Sequence, residues 1–238
     1  MFILFVAALI RSALGFGEAL VAVPLLAFCL PLKVAAPLAV LVSITIASIV
    51  IVQDWKKIHL HSTGWLVLST LFGIPMGLLF LTSSHPRAVK AALALIIMAF
   101  AAYSLAGRTP KLRRDSRGWL LLFGFCAGVL GGAYGMNGPP LAIYGAMRRW
   151  SAQRFRATLQ AYFLPASIIG MGGYWVAGLW IPAVTHYYLL SLPVTLPAVF
   201  LGRIINHRLH GEAFLQYVYV GLAGVGSLLL VQAITGRL

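Results

Sequence analysis

The stretches GFGEALVAVP at residues 15–24 and GGAYGMNGPP at residues 131–140 interrupt two long apolar runs, one in each half of the chain. Glycine and proline are poor residues for a helix interior. The runs cover residues 1–32 and 118–147, and one straight helix of about 30 residues would reach about 45 Å, against about 30 Å of bilayer hydrocarbon. The breaks leave pieces of about 14 residues, which are too short to cross alone. Each run is therefore predicted to be either a broken, tilted helix that crosses once or a re-entrant hairpin that returns.

The composition of the whole chain indicates a membrane protein. Of its 238 residues, 61% are hydrophobic and 9% are charged, whereas a soluble domain carries about 25% charged residues. The predicted fold class is an all-α polytopic membrane protein in which two broken helix pairs accompany three transmembrane helices each, giving six full spans and two hairpins, or eight spans. Beside the broken runs, the segments with the length of a membrane span are 34–53, 62–82, 88–106, 157–178, 182–202 and 213–234.

The two halves follow the same order, a broken run and then three clean spans. Gly77 and Gly202 pair at an offset of 125 residues, and other pairs share an offset of 115: Gly17 with Gly132, Pro24 with Pro139 and Trp65 with Trp180. We interpret residues 1–106 as a first membrane repeat, 107–117 as a basic connecting loop and 118–238 as a second membrane repeat.

The net charge of +14 comes from basic residues that cluster in the short connections between apolar runs. There they act as topology signals and contact anionic lipid head groups, so membrane lipids rather than nucleic acid are the predicted partner. If both runs cross once, the two sides carry nine and eight basic residues, which gives no orientation. If both are hairpins, the counts are thirteen and four, and the loops on the basic side are those around 56–57, 107–117, 147–156 and 203–208.

The positive-inside rule makes that basic side cytoplasmic and both termini external. Three crossings in each half would also invert the second repeat relative to the first, which is a common transporter architecture. We therefore expect the hairpin arrangement.

The two breaks have the chemistry of an anion site. Inside lipid, a break is tolerated only where protein or a wet cavity surrounds it, and a restarting helix presents unpaired N–H groups with a partial positive charge. Proline suits the first turn of such a helix, so GPPLAIYGA from Gly138 is predicted to begin a half-helix directed at a substrate. The alternative is that glycine and proline only relieve helix crowding. The candidate substrate-binding residues are Gly15, Gly17, Pro24, Gly131, Gly132, Gly135, Asn137, Gly138, Pro139 and Pro140.

Few polar side chains lie within the apolar runs. Arg11 and Glu18 are the charged residues at membrane depth in the first half, and buried charges in lipid are costly and usually functional. Glu18 is the candidate carrier if transport is proton-coupled, and a purely structural ion pair with Arg11 is the alternative. Asn137 could donate to an oxyanion or cap the helix that follows it. Other residues could line a pathway or join helices by hydrogen bonds, namely Ser43, Thr45, Ser48, Gln160 and Ser167.

No motif for catalysis or metal binding is present. The chain has four acidic residues and contains no GxSxG, HExxH or P-loop sequence, and an enzyme would need such a constellation at membrane depth. We predict no enzyme activity, no catalytic residue, no metal site and no cofactor. A membrane-embedded enzyme without a recognisable motif and a structural membrane subunit remain the alternatives.

The two glycine-rich stretches resemble the motifs of the TauE/SafE family of sulfite-exporter-like permeases, also called the four-toluene-sulfonate uptake class. The first motif corresponds to Gly15, Phe16, Gly17 and Pro24, and the second, G-G-x-x-G-x-x-G-P-P, corresponds to residues 131–140. The resemblance also extends to Gly202–Arg203. Glu18 departs from it, because the family more often has a small residue at that position.

The resemblance implies a secondary transporter that moves a small anion such as sulfite, an organosulfonate or a related organic acid by alternating access. It also implies an integral, multi-pass protein of a bacterial plasma membrane. The substrate's identity, the direction of transport, the coupling ion and the oligomeric state stay open.

Overall fold

The structure is a computed structural model, and it describes residues 1–54, 60–83, 85–107, 112, 117–148, 150, 152–208 and 212–235. These residues form ten α-helices and no strand, which confirms the all-α prediction. In chain order the helices are α1 (Phe2–Leu14), α2 (Glu18–Leu26), α3 (Leu32–Asp54), α4 (Leu60–Thr82), α5 (Pro86–Ala106), α6 (Arg117–Tyr134), α7 (Gly138–Met147), α8 (Ala152–Val176), α9 (Pro182–Arg208) and α10 (Glu212–Thr235).

Five of these helices are long and apolar enough to cross a membrane, within the part of the chain that the structure describes. They belong to α3, α4, α5, α6 and α9. The predicted spans 157–178 and 213–234 fall in α8 and α10, which have 25 and 24 residues. The buried face of α8 carries the polar side chains of Thr158, Gln160 and Ser167. The prediction of a polytopic membrane protein is confirmed, while the number of crossings stays a prediction.

The second broken run divides unequally, so the expected pieces of about 14 residues are wrong here. Helix α6 has 18 residues and α7 has 10, and α6 alone is long enough to cross. The helix continues through Gly131 and Gly132 and ends at Tyr134, before Gly135 with φ of 68°. Tertiary packing of α6 against α4 overrides the low helix propensity of its glycines.

Helices α6 and α7 form a hairpin. The rings of Phe123, in the first half of α6, and Tyr144, near the end of α7, have centroids 5.4 Å apart. Leu112, which precedes α6, donates its N–H to the carbonyl of Met147 at 3.0 Å. The start of α6 and the end of α7 therefore lie at the same end of the molecule.

The first broken run contains α1 with 13 residues and α2 with 9, and the two helices pack against each other. Their connection has a left-handed residue at each end, Gly15 with φ of 84° and Gly17 with φ of 99°. Side chains other than glycine rarely adopt such angles. Pro24 lies inside α2, so the break consists of residues 15–17.

Each hairpin packs against a long helix of the other half. Helix α4 contacts α6, and α9 contacts α1. Gly73 lies against residues 125–129 of α6 and Gly77 against residues 129–133, so α4 and α6 run parallel. A Cβ at either glycine would clash with the α6 backbone. In the other pair, Ser12 donates to the carbonyl of Val199 at 2.6 Å.

The directions of the remaining helices follow from three contacts. The Thr70 and Tyr162 hydroxyls are 2.7 Å apart, and Gly173 lies against Leu78, so α4 and α8 run parallel. Helices α5 and α10 run antiparallel, because Lys90 at the start of α5 donates to Gln232 at the end of α10 at 2.9 Å, whereas Phe100 stacks edge-on with Tyr219 further back in α10.

Candidate functional site

A small buried cavity lies where the two breaks meet. Its volume is about 20 Å³, on a scale where one water needs about 10–15 Å³. The lining residues come from five helices and both breaks, and they are Arg11, Gly17, Glu18, Ala19, Leu20, Ser43, Gly135, Met136, Asn137, Gly138, Pro139, Phe163 and Ser167.

Two helices begin at this cavity. Helix α2 starts at Glu18 after Gly17, α7 starts at Gly138 after Asn137, and the two helices contact each other. The first N–H groups of a helix have no partner within it and carry a partial positive charge. The start of α7 at Gly138, with Pro139 in its first turn, is where the sequence predicted it. Asn137 makes no capping bond with its side chain, which leaves the capping alternative without support.

Arg11 is the centre of a polar network that joins four helices. Its side chain is 3% exposed, and it forms an ion pair with Glu18, which is 1% exposed. Arg11 also donates to the Ser43 hydroxyl, and its Nη2 lies 3.5 Å from Oε1 of Gln160. The guanidinium carbon lies 4.7 Å from the centroid of the Phe163 ring. These contacts hold the cation at the edge of the cavity.

The network is not saturated. Two of its buried atoms have no hydrogen-bond partner among the described residues, namely Oε1 of Glu18 and Nε of Arg11. A buried polar atom without a partner costs free energy. The ion pair therefore contains one unfilled acceptor and one unfilled donor.

Five of the ten predicted binding residues line the cavity: Gly17, Gly135, Asn137, Gly138 and Pro139. The other five support it or lie further away. The carbonyl of Gly15 accepts a bond from Gln160 at 3.0 Å, and that of Gly131 accepts one from Tyr174 at 2.8 Å. Gly132 packs against α4. The remaining two are buried within helices and do not line the cavity, namely Pro24 and Pro140.

The polar residues of α3 and α8 separate into two groups. Ser43 and Ser167 line the cavity, and their hydroxyls lie 3.3 Å apart. Thr45 instead bonds Tyr188, at 2.7 Å between the hydroxyls. Phe163 was missed by sequence reasoning, although its spacing of three from Gln160 and four from Ser167 places all three on one helix face.

A comparison with family models matches residues 1–229 to the family described as Sulfite exporter TauE/SafE. The chain belongs to this family. The resemblance indicated by the glycine-rich motifs is confirmed, and the match includes both hairpins and the cavity between them. This TauE/SafE protein is therefore a multi-pass membrane protein of an anion-permease family. Comparisons with curated proteins and with solved structures give no match.

The charges at the TauE/SafE cavity nearly balance. Arg11 is offset by Glu18, and Glu18 also stands in the first turn of α2, where a carboxylate offsets the positive helix end. The start of α7 has no acidic residue in its first turn. A guanidinium has five N–H donors in a planar fork that matches carboxylate-like or sulfonate-like oxygens. Among the described residues, no group of three or more His, Cys, Asp or Glu could hold a metal ion.

Proposed function

We propose that this TauE/SafE protein is a secondary transporter of a small anion, such as sulfite, an organosulfonate or a related organic acid, in a bacterial plasma membrane. One observation carries the proposal: the starts of α2 and α7 and the buried Arg11 border the same cavity. Each supplies positive charge or N–H donors to a place that water can reach only in small numbers. Electrostatic attraction is stronger in such surroundings than in water.

The proposed architecture is a pair of inverted repeats with two re-entrant hairpins and six spans, and α6, although long enough to cross, belongs to the second hairpin. Helix α7 runs back along α6, so α8 begins at the same end of the molecule as α6 and runs parallel to both α6 and α4. This return of the chain supports a hairpin. The antiparallel contact of α5 with α10, which hold equivalent places in the two halves, supports inversion. Equivalent helices of the two halves begin 120 residues apart, α2 and α7 at Glu18 and Gly138, and α3 and α8 at Leu32 and Ala152. The two halves therefore align at an offset of 120 residues around the breaks, rather than at the offset of 115 seen among scattered residues.

The sidedness of the basic loops is consistent with this arrangement. The contact of Leu112 with Met147 joins the loop at 107–117 to the start of the loop at 147–156. Arg148 also donates to the carbonyl of Leu112 at 3.1 Å. Most of the 107–117 loop, the basic residues at 56–57 and Arg149 lie outside the described residues. The two densest basic loops then share the cytoplasmic side, as the positive-inside rule favours.

Transport by alternating access would open the cavity to each side in turn. The cavity lies between the hairpin of one half and the hairpin of the other, and each hairpin is held by the opposite half. A rocking motion of α1–α2 with α9 against α6–α7 with α4 would change access without breaking either contact, as in transporters built from repeats.

Uptake of radiolabelled sulfite and methanesulfonate into proteoliposomes tests the proposal. We expect saturable uptake by the wild type and its loss in Arg11→Gln. The matched control is Arg87→Gln, which removes an arginine from the exposed start of α5 and should leave uptake unchanged. A folded wild-type protein that takes up neither these anions nor small carboxylates in either direction would contradict the proposal and favour an enzyme or a structural subunit.

A further inference from the structure

We infer that Glu18 occupies the position on Arg11 that the transported anion takes, so that a proton must neutralise Glu18 when the anion binds. The inference rests on the proposed transport function and adds the coupling ion and the mechanism of coupling. In this mechanism the carboxylate of Glu18 acts as an internal competitor of the substrate. Protonation removes the negative charge of Glu18 and so breaks its ion pair with the guanidinium, and the anion then binds the guanidinium in place of Glu18.

The contacts of Arg11 support competition rather than a permanent structural pair. A structural pair is stable when its lone pairs and protons are all satisfied, and here Oε1 of Glu18 and Nε of Arg11 are both buried without a partner in the described part of the chain. A proton on Oε1 turns it into an O–H donor, and the oxygens of a bound anion can accept from that O–H and from Nε of Arg11, so that proton and anion together complete the network. Each partner alone leaves a charge without compensation.

Size also indicates that the carboxylate must move. The cavity has room for about one water, and a sulfite or sulfonate group is larger than a water molecule. The carboxylate of Glu18 is paired with Arg11 at the wall of this cavity, which the start of α7 also lines. We therefore expect an anion that binds Arg11 to take the place of the Glu18 carboxylate.

Charge explains why proton and anion bind together. With Glu18 ionised, the pair with Arg11 is neutral, and an entering anion meets little net attraction. With Glu18 protonated and no anion, Arg11 is a buried cation without a counter-charge, which is unfavourable. The state with both ligands is neutral again. By linkage, the proton raises the affinity for the anion by the same factor as the anion raises the affinity for the proton.

No other titratable group competes for this role at the cavity, among the residues that the structure describes. Helix α1 contributes Arg11. The other polar residues do not titrate, and they are Ser43 in α3, Asn137 in the break before α7, and Gln160 and Ser167 in α8. Helices α5 and α10 also contact α2, and none of their residues lines the cavity. The pH dependence of binding should therefore follow Glu18.

The test measures binding of methanesulfonate to the purified protein by calorimetry over a range of pH, with proton uptake followed in weakly buffered solution. Methanesulfonate stays a monoanion throughout, so any pH dependence belongs to the protein. At pH values above the pKa of Glu18, we expect the affinity of the wild type for the anion to fall about tenfold for each pH unit. One proton should be taken up for each anion bound. Glu18→Gln should bind the anion with a flat pH profile and no proton uptake. The control is Glu212→Gln, which removes a carboxyl from the first residue of α10 and should behave as the wild type.

A second readout separates this inference from transport itself. In proteoliposomes with an imposed membrane potential, wild-type uptake of methanesulfonate with a proton is electroneutral and should ignore the potential. Uptake by Glu18→Gln should carry negative charge and respond to it. If the wild type binds or transports the anion without proton uptake, or shares its pH profile with Glu18→Gln, the coupling mechanism is wrong and the transporter proposal stands. If neither protein binds or moves methanesulfonate, sulfite or a small carboxylate at any pH, both proposals fail.

Discussion

The two hairpins occupy equivalent places in the molecule but differ in what they contribute. The first, α1–α2, carries the ion pair of Arg11 with Glu18 and meets its long helix α9 at Gly202 and Ser12. The second, α6–α7, lines the cavity with no charged side chain, and its α6 is packed backbone to backbone on α4 through glycines of both helices, namely Gly73, Gly77, Gly124, Gly128 and Gly132. The comparison shows one hairpin specialised for charge and the other for close packing.

The strongest test of this difference removes the charge from the first hairpin. Arg11→Gln leaves Glu18 buried without its partner and should reduce the free energy of unfolding by about 3–5 kcal/mol. The double variant Arg11→Gln with Glu18→Gln should recover most of that stability, because no unpaired charge remains. Thermal unfolding in detergent measures both effects.

Anion uptake by the double variant decides what the pair is for. A folded double variant that takes up methanesulfonate at the wild-type rate would show that the pair is only structural. We expect no measurable uptake, since the cation that attracts the anion is gone.

A smaller loss of stability is expected from the second hairpin. Gly77→Ala places a Cβ against backbone atoms of α6 that cannot turn aside, and overpacking of this kind costs about 1–3 kcal/mol. The control is Gly224→Ala in α10, where a Cβ meets nothing within 4 Å; it should unfold at or slightly above the wild-type temperature. Equal unfolding temperatures for the two variants would contradict the close-packing role.

Asn137→Ala should affect transport more than stability. The side chain makes no capping bond at the start of α7 but lines the cavity, and loss of one hydrogen bond to a charged ligand is worth about 1.5–3 kcal/mol. We expect a fall of about tenfold or more in anion affinity, with a smaller loss of stability because the buried side chain also bonds Tyr162. An unchanged affinity would remove Asn137 from the binding site.

Cysteine labelling perturbs the protein least and tests whether both hairpins return to their starting side. In a background with Cys29 and Cys126 replaced by serine, single cysteines at 112 and 152 report on the second hairpin and single cysteines at 2 and 33 on the first. We expect the first two to be labelled only from the cytoplasm and the other two only from outside. Labelling of either pair from opposite faces would make that hairpin a crossing helix.

The sequence predicted where α7 begins better than it predicted which glycines break a helix. Proline fixes the backbone angle of a first turn and lacks the N–H that would have no partner there, so the start of α7 could be located from GPP alone. Glycine has no such single meaning. Gly17 breaks a helix, whereas Gly132 lies inside one and makes room for α4, and only the position of the neighbouring helix distinguishes the two uses.

The same limit applies to the side chains around Arg11. Its pairing with Glu18 was foreseen as one alternative, because few charges lie at that depth. The contribution of Phe163 was not, since an aromatic residue in an apolar helix is most often a core residue. Its contact with Arg11 depends on how α8 crosses α1, which no local pattern encodes.

The packing of each hairpin against the opposite half also affects the order in which contacts form during biosynthesis. Helix α1 leaves the ribosome long before the residues that cover it, around Val199 and Gly202 in α9, are made. Contacts between residues so distant in sequence form slowly. Until these contacts form, the only partners of the Arg11 guanidinium are residues of its own half, namely Glu18 and Ser43. The early ion pair therefore lets the nascent chain hold a charge in the bilayer while the rest of the protein is synthesised.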